Sequence, residues 1–234
     1  MSAELSQFGN ISYKRSLRAS RIAVRIQPDG LVITLPVTKS QAEATAFVLS
    51  IRERILMKQN RIRQRSQNSI LTEEKGYKTL SFDVHLSKAN RKDVFFQFQE
   101  GKLHIEYPLE ADLSSEKVQQ ACWKGIQYFM KKEARRLLPA RVEQLARHHG
   151  FNFKDVKIQS GKTRWGSCSS QKNINLSFYL MILSPELVDY VILHELCHTV
   201  EMNHGDRFWK LMDKVTEGKT EKYRRELKKY HIPE

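Results

Sequence analysis

Five consecutive residues carry the clearest chemistry in the chain: His194-Glu195-Leu196-Cys197-His198. On a helix, residues four apart differ by about 40° of rotation, so the two imidazoles face one way and can share a metal ion. Glu195 falls about 80° to the side of their mean direction. That position reaches a metal-activated water without entering the coordination shell, as a general base of metal-assisted hydrolysis does. Leu196 points backwards into a core. A third imidazole, His204, follows ten residues after His194. Three neutral imidazoles with one open position make a catalytic rather than a structural zinc pattern. Glu201, seven residues after His194, faces the same way if the helix runs that far. There it is either a hydrogen-bond partner for an imidazole or an alternative ligand.

These residues need a helix to hold them. Ser184-Pro185-Glu186 supplies an N-cap, a proline in the first turn and an acid near the helix start. Tyr190 to Leu193 give it a buried beginning. Upstream, a long helix is expected from Ser114 or Ser115 to His149, bent at Pro139 and closed by Gly150. Strands are expected at 154–159, 162–168 and 173–177, and two helices at 206–216 and 219–230. Asp206 is expected to cap the first of these two, with Phe208 and Trp209 packing beneath His204. The first half reads as β-rich: Ile22, Val24 and Ile26 alternate, Pro28-Asp29-Gly30 turns, and Leu31, Ile33 and Leu35 alternate again. Ser40 opens one long helix to about Gln67, studded with arginine and lysine. Strands at 79–86, 94–99 and 102–107 follow. The fold class is α+β, with a β-rich region with a basic helix at 1–110 and a catalytic domain at 111–234.

Composition narrows the setting. The 234 residues are 40% hydrophobic and 28% charged, an ordinary globular mixture. No apolar run is long enough to cross a membrane, and the first fifteen residues lack a secretory apolar core. Cys122, Cys168 and Cys197 are too few for a disulfide framework and suit a reducing compartment, the cytoplasm by default. The net charge is +14, a field that draws polyanions. Cut at 108, the halves hold 18 basic and 10 acidic residues, then 22 and 16, so the excess looks evenly spread.

Taken together, Thr163-Arg164-Trp165-Gly166-Ser167-Cys168-Ser169, Ile174-Asn175-Leu176, Pro185, Tyr190 to His198 and Asn203-His204-Gly205-Asp206-Arg207-Phe208-Trp209 resemble the YgjP-like metallopeptidases, relatives of the SprT-like and Wss1-like zinc proteases. Arg15 to Ala19, Ile22 to Ile26 and Pro28-Asp29-Gly30 look like that family's N-terminal β-region, while 68–110 match it least. The His194/His198/His204 spacing is also that of metzincins, with Glu201 in place of their glycine. The resemblance implies a minimal zincin, a small twisted sheet over an active-site helix. Zinc would be held by His194, His198 and His204, with Glu195 as base. It also makes 162–168 the edge strand that lines the substrate cleft. There Arg164 suits a developing oxyanion, Trp165 a stacking or packing role, Gly166 a close backbone approach and Ser167 a hydrogen bond. The expected activity is a zinc metallopeptidase acting on peptide or protein. Two other readings stand beside it. One is a metal-dependent nucleotide or phosphoester hydrolase of the nucleoside triphosphate pyrophosphatase type, motivated by charge, Arg164 and Trp165. The other is a DNA-associated protease that holds nucleic acid on its basic surface.

Overall fold

The computed structural model describes residues 3–68, 70–161 and 163–232. The chain forms two compact units, Met1–Ile70 and Leu71–Glu234.

In the first unit a short 3-10 turn precedes β1 (Asn10–Ser16), β2 (Ala23–Gln27) and β3 (Gly30–Pro36). The Pro28-Asp29 turn makes β2 and β3 the expected antiparallel hairpin, and β1 pairs parallel to β3 on the other side. Alternation sends Leu31, Ile33 and Leu35 to one face. There they are buried with Phe8, Ala44, Val48 and Ile55. The single helix expected from Ser40 is two, α1 (Gln41–Ser50) and α2 (Arg52–Asn68). Ser40 and Glu43 form a complete capping box at the start of α1. At its end the Ser50 hydroxyl donates to the Phe47 carbonyl and Ile51 leaves helical geometry. Such competition for a helix's own carbonyls bends helices. The break lets Val48 and Ile55 enter one core. Gln59 of α2 is buried, and its amide donates to the Phe8 carbonyl at 2.9 Å.

The second unit is built on α3 (Glu116–His149), capped by Gly150 in the left-handed region and unbroken through Pro139. Its buried residues, including Cys122, Ile126, Met130, Ala134, Leu138 and Val142, recur at helical spacing. One sheet, in the order β4-β5-β7-β6, comprises β4 (Tyr77–Lys78), β5 (Asp83–Ala89), β6 (Phe95–Gln99) and β7 (Lys102–Pro108). Val84, Leu86, Leu103, Ile105 and Tyr107 share a core with Ile126 and Met130. The boundary expected near 110 therefore falls inside this unit, because the strands of 77–108 bury their apolar face with α3. β6 comes so close to α3 that a Cβ on Gly125 would overlap the Phe96 ring.

A second small sheet, in the order β8-β10-β9, contains β8 (Asp155–Gln159), β9 (Gly166–Cys168) and β10 (Asn173–Ser177). β9 is shorter than the stretch expected at 162–168 and forms an edge. After a 3-10 turn at Phe178–Ile182 come α4 (Pro185–Cys197), α5 (Asp206–Val215) and α6 (Thr220–Leu227). α4 is buried along most of its length, through Leu187, Val188, Val191, Ile192, Leu193 and Leu196. The Arg141 guanidinium of α3 grips both Asp189 oxygens, at 2.6 and 2.5 Å, and so fixes α4 along α3. No described helix is long and apolar enough to cross a membrane.

Candidate metal centre

α4 ends at Cys197, and His198 is its C-cap, still in right-handed helical geometry. His194 and His198 therefore keep the one-turn spacing that puts both rings on one side. The chain then turns through residues 199–205 and returns His204 to them. The His204 Nε2 lies 3.0 Å from that of His194 and 3.1 Å from that of His198. Among the described residues these three form the one cluster with metal-ligand geometry. Nitrogens bound to a tetrahedral zinc at about 2.0–2.1 Å stand roughly 3.3 Å apart; the two His204 spacings approach this, and all three ligand atoms lie within 4.8 Å of one another, a donor set that can close on a metal.

The surroundings set the imidazoles for that role. His198 Nδ1 donates to the Glu201 carbonyl at 3.0 Å, which fixes its tautomer and leaves the Nε2 lone pair facing the cluster. Glu201 thus acts through its backbone. Because α4 has already ended, its side chain does not join the three histidines as an alternative ligand. Burial, reinforced by the fields of His198 and His204, pushes the His194 pKa down to about 3. Burial also lowers that of His198. Neutral imidazole is the form that binds metal.

Aromatic rings brace all three. Phe208, fully buried, stacks on His198 and meets His194 and His204 edge-on, with centroids 4.5–4.9 Å away. Trp209 holds His204 twice. Its ring stacks on the imidazole at 5.6 Å, and its Nε1–H donates to the His204 backbone carbonyl at 3.1 Å. Both residues come from the first turn of α5. The helix cap is Gly205, and Asp206 is the first helical residue, where its charge favours the positive helix end. The expected Asp206 cap is thus displaced by one residue. His204 itself is exposed on an irregular turn, so Trp209 is its main anchor. Trp209→Leu is expected to weaken metal binding about 10–100-fold, as loss of a ligand's supporting partner does. Trp209→Phe, which keeps a ring, falls between; competition with a chromophoric chelator measures both.

Glu195 is 5% exposed and lies between α4 and β9. A Cβ on Gly166 would stand 2.7 Å from its Oε1 and 2.8 Å from its Cγ. Gly166 is thus the wall against which the carboxylate rests. Burial raises the Glu195 pKa to about 8, and the Arg164 charge pulls in the opposite direction. Arg164 is exposed next to this wall. Trp165 is half-buried, packs on the main core and accepts the Ser177 N–H at its carbonyl. Ser167 is not brought to the cluster. In the β9–β10 register it opposes Asn175, whose side-chain amide donates to its hydroxyl, while Gly166 and Cys168 pair with the buried Leu176 and Ile174. Alternation along the strand therefore turns the Ser167 side chain to the face away from Glu195. Cys197 is fully buried with its thiol pushed up to about 12 by burial, a space-filling group rather than a ligand.

The chain matches the model of the YgjP-like metallopeptidase domain over residues 20–230. No curated protein matches it. Two solved structures are similar to part of it, both metallopeptidase zymogens. Jannalysin of Methanocaldococcus jannaschii is 22% identical, with 39% of this chain and 94% of that one covered at a TM-score of 0.36. Abylysin of Pyrococcus abyssi is 23% identical, with 40% and 94% covered at the same TM-score. The protein belongs to the YgjP-like metallopeptidase family and is a metallohydrolase of α+β fold, zincin-like around the histidine cluster.

Proposed function

We propose that this metallohydrolase is a zinc-dependent peptidase in which His194, His198 and His204 hold the ion and Glu195 is the general base. The observation that carries the reading is the convergence of three imidazole Nε2 atoms beside a buried carboxylate and an open strand edge. A zinc ion at the three histidines supplies a Lewis acid and a water that ionises near neutral pH. Glu195 takes up a proton at its carboxylate and returns it to the leaving amine. Its seat against Gly166 fixes where that proton is held. The Arg164 cation favours the charged carboxylate and faces negative charge that develops on the substrate carbonyl oxygen. β9 pairs with β10 on one side only, so its other edge offers N–H and C=O groups to an extended substrate backbone. Ser167 contributes there through its backbone and Trp165 through the flank of its ring. The three unpaired cysteines suit a cytoplasmic protein.

The test offers the zinc-loaded protein a mixed pool of peptides and nucleoside triphosphates, with Glu195→Gln as blank, and reads products by mass spectrometry. New peptide fragments absent from the blank are expected. Triphosphates cleaved while every peptide stays intact would replace this reading by phosphoester hydrolysis. That alternative lacks the carboxylate cluster of a two-metal phosphoryl site among the described residues.

A further inference from the structure

The unit Met1–Ile70 holds 12 basic and 4 acidic residues, an excess of 8 on 70 residues; the other 164 carry an excess of 6. Its fold uses little of that charge. Among its described residues Lys39–Glu43 is the one ion pair. Arg15 and Arg63 donate to backbone carbonyls.

On α2 the remaining cations are ordered. The helix buries Ile55 and Gln59. Arg54, Lys58 and Arg61 follow one another at steps of four and three residues, all exposed, within about 60° of rotation and centred about 110° from the direction of Ile55 and Gln59. They span about 10 Å of helix. None makes a hydrogen bond or ion pair with another described residue. Glu53, the one acid of α2, lies roughly 100° from the row. A row of like charges repels itself and is relieved by a polyanion laid along it. The described part of the row has no aromatic ring on which a base could stack, so it suits a phosphate backbone rather than base edges.

We infer that α2 is a docking surface for nucleic acid, with Arg54, Lys58 and Arg61 tracking backbone phosphates without regard to sequence. This surface is independent of the hydrolytic reaction. The test is fluorescence anisotropy of the full chain with short labelled duplex and single-stranded DNA across a salt series. Binding is expected to fall linearly in log K against log salt. The triple variant Arg54→Gln, Lys58→Gln, Arg61→Gln is expected to flatten that slope by about 2–3, with circular dichroism unchanged; each lost phosphate contact removes roughly 0.9 on a duplex and 0.7 on a single strand. A control, Lys117→Gln, Lys124→Gln, Lys132→Gln, removes the same charge from exposed positions of α3 and is expected to keep the slope. No binding at low salt, an unchanged slope in the α2 variant or equal flattening in both variants overturns the inference. So does attachment to anionic lipid vesicles with no binding of DNA.

Discussion

Glu195→Gln is expected to keep its fold and its capacity to bind metal and to lose kcat by about 10²–10⁴-fold, the usual contribution of a positioned general base. The amide has the shape of the carboxylate and fits the same space against Gly166, but it cannot take up a proton. It also removes a carboxyl group that burial has made hard to ionise, its pKa raised to about 8. Thermal stability at or above the parent's is therefore expected beside the lost turnover. Turnover on the peptides that the pool experiment identifies, together with metal content, checks this. Turnover near the parent's, with full metal content, would remove Glu195 from the base role.

Gly166→Ala is expected to cost kcat about 10²-fold, the scale of an ångström's misplacement of a reacting group. The backbone of Gly166 is not in the left-handed region, so alanine meets no conformational strain there. Space is the obstacle. The new methyl would press on Glu195 Oε1 and Cγ, and the buried carboxylate has to move. The three atoms nearest the new methyl all belong to Glu195 and none to the histidines, so metal affinity is expected to hold. Combining Gly166→Ala with Glu195→Gln separates the causes. If the glycine acts through the carboxylate, the double variant is hardly slower than Glu195→Gln alone. Independent, multiplying losses would assign Gly166 another role.

The residues of the cluster were legible because their arrangement is local. A four-residue step on a helix and a short return to His204 need no tertiary information, and the caps at Ser184 and Gly150 announce their helices. Ser167 was not legible, since the face it occupies depends on the β9–β10 register and on where β9 begins. Gly166 stood out as a permissive residue, but that its partner is Glu195 belongs to the packing of β9 on α4. Phe208 was expected beneath His204; its contact with all three imidazoles follows from the angle of α5. The break at Ser50-Ile51 was hidden because both helices read as one continuous pattern. The charge of the first unit was hidden for another reason. A boundary placed near 110 merged it with residues 71–108, whose basic and acidic residues are equal in number.

The three histidines fall within eleven residues of chain, from 194 to 204. An ion bound there closes loops of only a few residues. The entropy that a cross-link withdraws from an unfolded chain rises slowly with loop length, and here it is at the low end of the range. The core of Ile126, Met130, Ile174, Ile192 and Leu196 assembles around α3 from segments far apart in sequence and is made of apolar side chains. In zinc fingers the energy of metal binding is the energy of folding. Here the loops are short and the core is apolar, so folding is expected to depend far less on the ion.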